Sequence, residues 1–285
     1  MTQNPYKQAQ LFLEELGITS LPVNIEEVCQ KQKISYSEFS MSPIDGISHF
    51  QPRTDKKLIV VNSDIREIGR KNFTAAHEIG HWCLDVNLMN GKPFICKKEE
   101  VGFQEYSAKS CEKLADEFAS EFLMPRKLFK ELMADCPPAW NEIERLSEHC
   151  KTSLLATAIK FMQLTEHFCV LVVNDKNGRI SYFRPSRYFY QYIDMNSRKV
   201  KPESFAFKAL NGGEVPTTFC LTKAENWLSD YGINPDPEIL EWSLPLNSYG
   251  KVLTILWDET KQPAAFQGDK VSSLGDIWEP PTFKK

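Results

Sequence analysis

Phe73-Thr74-Ala75-Ala76-His77-Glu78-Ile79-Gly80-His81 is the stretch on which the fold of this chain turns. Two histidines four positions apart in a helix stand on one face. Both imidazoles can therefore hold one cation, while Glu78 reaches a water bound to it. The helical pattern begins near Asp64, where Ser63-Asp64-Ile65-Arg66-Glu67 has capping-box spacing, and runs to about Leu84. Phe73, Ala76, Cys83 and Leu84 supply apolar packing, and no proline interrupts. With five histidines in 285 residues, such a string arises by chance in roughly one protein in a hundred. Its partners elsewhere in the chain therefore decide its weight.

A catalytic zinc normally takes three protein ligands and keeps one position open, so two histidines need a third group. The metzincin continuation is absent, because Leu84 stands where its glycine belongs and Asn87 where its third histidine belongs. Cys111, Leu114, Ala115, Phe118, Ala119 and Phe122 space out a second one-sided helix that ends at Met124-Pro125. Glu112 in its first turn is the candidate third ligand. Asp116, four residues on and on the same face, is placed to accept the free N–H of a ligating histidine. This is the gluzincin arrangement. Asp85, four residues after His81, is the alternative third ligand.

Around these helices the chain divides into three expected modules. Residues 1–135 open with a helix from Tyr6 to Leu16 that stops at Gly17, and a second from Ile25 to Gln32 capped by Asn24. Ile34–Phe39, Gly46–Phe50 and Lys57–Val61 then predict a small antiparallel sheet. Residues 86–104 have loop composition, and Arg126–Met133 forms a last short helix. Cys136-Pro137-Pro138 marks a joint. Residues 136–166 hold helices at Asn141–His149 and Ser153–Leu164, an outline compatible with a helix-turn-helix. The second of these has one basic and six large apolar residues, which suits core packing rather than contact with base edges. Residues 167–285 read as α+β: a hairpin over Phe168–Val173 and Arg179–Phe183, a helix at Leu221–Tyr231, and strands at Glu238–Leu244 and Lys251–Trp257. The class is α+β throughout.

Composition narrows the function. Apolar residues make up 42% and charged residues 25% of the chain, which is ordinary for a folded protein. Basic and acidic side chains number 34 and 38, a net charge of -4 that carries no broad attraction for nucleic acid or anionic lipid. Eight scattered cysteines without a C-x-x-C pair favour reduced thiols and a cytoplasmic location. No leader-like start or membrane-length apolar run is visible. His49, His149 and His167 read as surface or structural residues.

The chain resembles the ImmA/IrrE metallopeptidases. The likeness rests on Phe73–His81 together with Glu112-x-x-Ala115-Asp116-x-Phe118-Ala119-x-x-Phe122-Leu123-Met124-Pro125. Pro22-Val23-Asn24-Ile25 and Ile59-Val60-Val61-Asn62 also fit, so it covers about residues 20–130. It departs where Asp85 replaces a frequent further histidine, and where Glu117 and Glu121 make the second helix more acidic. The resemblance implies a zincin-like domain of bacterial or mobile-element origin that binds Zn²⁺ through His77, His81 and Glu112, with Asp116 orienting a ligand. It implies that Glu78 takes a proton from the attacking water and passes it to the leaving amine. The implied substrate is a regulatory protein, a helix-turn-helix repressor or an antitoxin. Some relatives carry a GAF-like or PAS-like sensing module, the expectation for the carboxy-terminal part. Tyr106 and His49 are the candidate oxyanion donors. The alternative is a non-proteolytic transcription regulator or toxin-antitoxin component with a structural or vestigial metal site.

Overall fold

A computed structural model describes residues 4–51, 53–89, 93–97, 111–191, 193–194, 199–229, 237–246 and 249–261. Asn4 and Asn24 open α1 (Pro5–Glu15) and α2 (Ile25–Lys31) by accepting the backbone N–H of Lys7 and Glu27. Gly17 follows α1 with φ of +65°. β1 (Ile34–Phe39), β2 (Ile44–Gln51), β3 (Lys56–Asn62) and β4 (Phe94–Lys97) form one sheet in the order β1-β3-β2-β4.

That sheet is mixed, not antiparallel as expected: β2 pairs antiparallel with β3 and β4, but β1 runs parallel to β3. Asn62 explains the crossover. Its side-chain oxygen accepts from the N–H groups of Met41 and Asp64, and its amide donates to the Ile44 carbonyl at 2.8 Å. One buried side chain thus holds the link from β1 to β2 over the end of β3. Strand β4 falls in the expected loop, because four residues are too few for period-two alternation to be visible.

α3 (Ile68–Met89) starts one turn later than the capping-box spacing predicts. Both acids of that box are engaged elsewhere. Asp64 accepts from the Ser40 hydroxyl at 2.8 Å, and Glu67 accepts from the Tyr249 hydroxyl. α4 (Cys111–Leu123) packs along α3 and α1, and α5 (Arg126–Leu132), α6 (Trp140–Cys150) and α7 (Leu154–Leu164) follow.

A second sheet has the order β6-β5-β9-β8-β7, from β5 (Cys169–Asn174), β6 (Ile180–Pro185), β7 (Cys220–Lys223), β8 (Glu238–Leu246) and β9 (Lys251–Trp257). All of β5 is buried, as its unbroken apolar run requires. Cys169, Leu171 and Val173 face a core shared with α1 to α7. Val170 and Val172 face a second core with α8 (Phe205–Leu210) and Trp227. The first core runs across residues 136 and 167, where module boundaries are expected.

The described part of Leu221–Tyr231, residues 221–229, does not form the expected helix. Residues 220–223 are the edge strand β7, and Ala224–Asn226 form one 3-10 turn. Pairing with β8 from Cys220–Glu241 to Lys223–Glu238 overrides the helical spacing, and Glu241 captures the Trp227 indole N–H at 2.9 Å. The partly exposed residues of α7 are Leu154, Leu155, Ala156, Ile159 and Gln163, and its single basic residue, Lys160, is buried, unlike the basic outer face of a reading helix. Among the described residues no helix is long and apolar enough to cross a membrane, and the described cysteines are free thiols.

Candidate metal centre

The crossing of α3 and α4 brings the sequence-predicted residues together. A Cβ on Gly80 would lie 3.2 Å from the Cα and carbonyl oxygen of Ala115. A bare glycine facing an alanine therefore sets how near the helices come. Ala115 stands between Glu112 and Asp116, so this approach delivers both carboxylates to the histidine face.

His77 Nε2 lies 3.0 Å from His81 Nε2 and 3.1 Å from Glu112 Oε2, and His81 Nε2 lies 3.4 Å from Glu112 Oε1. Ligand atoms on a tetrahedral zinc with bonds of about 2.0–2.1 Å stand roughly 3.3–3.4 Å apart. The donor set therefore fits such an ion, and these three are a group of described residues whose ligand atoms converge tightly enough to hold one. The other ring nitrogen of His77 sits 2.8 Å from Asp116 Oδ1. A proton there is donated to the carboxylate, which turns the Nε2 lone pair toward the cluster. Asp116→Ala is expected to weaken zinc affinity about 10- to 100-fold without unfolding the chain, measured by competition with a chromogenic chelator.

The electrostatics favour a cation at this place. Burial pulls the His77 pKa down, but the hydrogen bonds to Asp116 and Glu112 outweigh it and hold the imidazole up at about 10. Burial likewise pushes Glu112 up, and the bonds to His77 and His81 overcome it and keep the carboxyl well below the usual range. His77, His81 and Glu78 are fully buried, while the Glu112 side chain is 18% exposed.

Glu78 lies against β2 in a slot that the sequence did not reveal. A Cβ on Gly46 would fall 2.3 Å from Glu78 Oε1 and 2.9 Å from its Cδ, so only a residue without a side chain lets the carboxylate rest there. The register irregularity beside Gly46 in the β2–β4 pairing and the 2.6 Å ion pair of Asp45 with Arg70 of α3 seat the strand. A glycine inside a strand pattern is the available signal for such a close approach. Alternation along β2 puts His49 on the face opposite Gly46, away from Glu78. Tyr106 and the Asp85 side chain lie outside the described residues.

The chain is similar to known proteins in sequence and in fold. Metallopeptidase ImmA of Bacillus subtilis is 28% identical over 110 residues, which are 39% of this chain and 59% of that relative, so less than two thirds of its length is spanned. A solved structure titled Mycobacterium tuberculosis transcriptional regulator superposes with a TM-score of 0.52 at 14% identity, covering 90% of this chain and 77% of that one, a likeness of fold. Residues 29–162, which run from α2 through the metal centre to α7, match the profile of the IrrE N-terminal-like domain, Peptidase_M78. Through that domain the chain is similar to the ImmA/IrrE metallopeptidases.

Proposed function

We propose that the protein is a zinc-dependent, site-specific endopeptidase. The observation that carries the proposal is the convergence of His77, His81 and Glu112 within reach of one ion, beside the buried carboxylate of Glu78 on the helix of the two histidines. In this reading those three side chains hold Zn²⁺ and Asp116 fixes the His77 ring. When bound, the ion supplies Lewis acidity at a scissile carbonyl. Glu78 accepts a proton from the attacking water and delivers it to the leaving amine, while Gly46 leaves the space its carboxylate occupies. The modules at 1–135, 136–166 and 167–285 divide the work into cutting, connection and recognition or sensing. The substrate class comes from the family resemblance: a helix-turn-helix repressor or an antitoxin encoded nearby.

Purified protein is expected to carry about one zinc per chain and to cut a co-expressed neighbouring helix-turn-helix protein at one bond, seen by intact-mass spectrometry. His81→Ala is expected to lose both the metal and the cut. Stoichiometric cleavage by metal-free protein would overturn the proposal.

A further inference from the structure

We infer that the hydroxyls of Ser48 and Thr74, with the carboxylate of Glu78, form a binding site for one internal water molecule between β2 and α3, and that through this water the two hydroxyls position Glu78. The site itself stands on packing alone. Its effect on rate rests on the peptidase reading.

Ser48 and Thr74 approach the Glu78 carboxylate from two facing surfaces. Gly46 and Ser48 are two residues apart in β2 and lie on one face of the sheet, the face on which Glu78 Oε1 rests at Gly46. Ser48 is paired directly opposite Ile59 of β3, as Gly46 is opposite Val61, and such cross-strand partners share a face. Ile59 and Val61 pack in one core with Ala75 and Ile79 of α3, so Ser48 enters the same layer between sheet and helix. From the other side, Thr74 stands one turn before Glu78 on the same face of α3. Ser48 is 1% exposed, and Thr74 and Glu78 are fully buried.

Neither hydroxyl has a hydrogen-bond partner among the described residues. A buried O–H left unpaired costs free energy that an apolar side chain of the same size would avoid. A helical threonine has a ready remedy in the carbonyl one turn back, and Thr74 does not use it. Two such hydroxyls facing a buried carboxylate are the setting in which an internal water is held, since a buried water makes about three hydrogen bonds. The water accepts from the Ser48 and Thr74 O–H groups and donates to Glu78 Oε1. The terminal torsion of a glutamate is broad, so a carboxylate held only by its stem can turn. Fixing Oε1 from the β2 side stops that rotation and leaves Oε2 for the water to be deprotonated.

The test begins with a crystal structure of the full chain with zinc bound, at about 1.5 Å resolution. A single solvent peak is expected about 2.6–3.2 Å from Ser48 Oγ, Thr74 Oγ1 and a Glu78 oxygen, and it should vanish in the double variant Ser48→Ala with Thr74→Val. Direct bonds from the hydroxyls to Glu78, or hydroxyls paired elsewhere with no such peak, would overturn the inference. Rates of cutting the neighbouring protein form the second arm. Thr74→Val has the shape of the parent without its O–H, and is expected to keep its zinc and its KM while kcat falls about tenfold. Thr74→Ser keeps the O–H without the methyl and should recover most of that loss. A packing role predicts the opposite order of the two variants, and either that order or a parental rate for Thr74→Val would overturn the positioning. Should the parent cut nothing, the peptidase reading fails, and the solvent peak still decides whether the site exists.

Discussion

Glu78→Gln is expected to keep its zinc and to lose peptide hydrolysis by two to four orders of magnitude, the usual contribution of a positioned proton acceptor. Glutamine has the shape of the glutamate and fills the same slot against Gly46, so the helix crossing and the His77–His81–Glu112 cluster stay as they are. What changes is the ability to take a proton. Metal content by elemental analysis should match that of the parent, thermal unfolding should differ little, and the rate of cutting of the partner protein should collapse. Cleavage within a few-fold of the parent would remove Glu78 from the mechanism. Loss of zinc together with activity would instead show that the variant disturbed the cluster. Gly46→Ala approaches the same carboxylate from the other side: its new methyl displaces Glu78 without touching its chemistry. Activity should fall there too, with the metal retained.

The features legible in the sequence were those written in one periodicity. His77 and His81 share a helix face, as do Glu112 and Asp116, and the spacing alone says so. Which helix meets which, and how closely, depends on Gly80 opposite Ala115 and on Gly46 beneath Glu78, contacts between segments far apart in the chain. The parallel pairing of β1 with β3 was hidden for the same reason, since it hangs on the side chain of Asn62 gripping Met41 and Ile44. Residues 220–223 show the converse case: apolar spacing there fits a helix, but hydrogen bonds to β8 decide the matter. The capping box at Ser63–Glu67 was a correct pattern with the wrong partners, because its two acids bond to Ser40 and Tyr249 from other parts of the molecule.

Lys160→Met is expected to cost about 3–5 kcal/mol of stability, the usual effect of stripping one partner from a buried ion pair. Lys160 is the single basic residue of α7, the position where a nucleic-acid contact would be sought, and Glu121 is one of the acids of α4. Each explains the other. Their charged groups meet at 2.5 Å with side chains 2% and 3% exposed, and Glu121 also accepts from Gln10 and from the Arg126 N–H. Burial lowers the Lys160 pKa, and the Glu121 charge opposes that shift without cancelling it. The carboxylate therefore joins α1, α4, the start of α5 and α7 at one point. Methionine fills the volume of the lysine stem but leaves Glu121 without its countercharge in the core. Adding Glu121→Leu should restore part of the loss by removing the stranded charge, and only part, because the Arg126 N–H and the Gln10 amide then lose their acceptor. Guanidinium unfolding with equal m-values for parent, single and double variants measures both effects. A Lys160→Met change within about 1 kcal/mol of the parent would mean that this lysine does not carry its charge inward. Its place on α7 would then have to be explained by an outside partner.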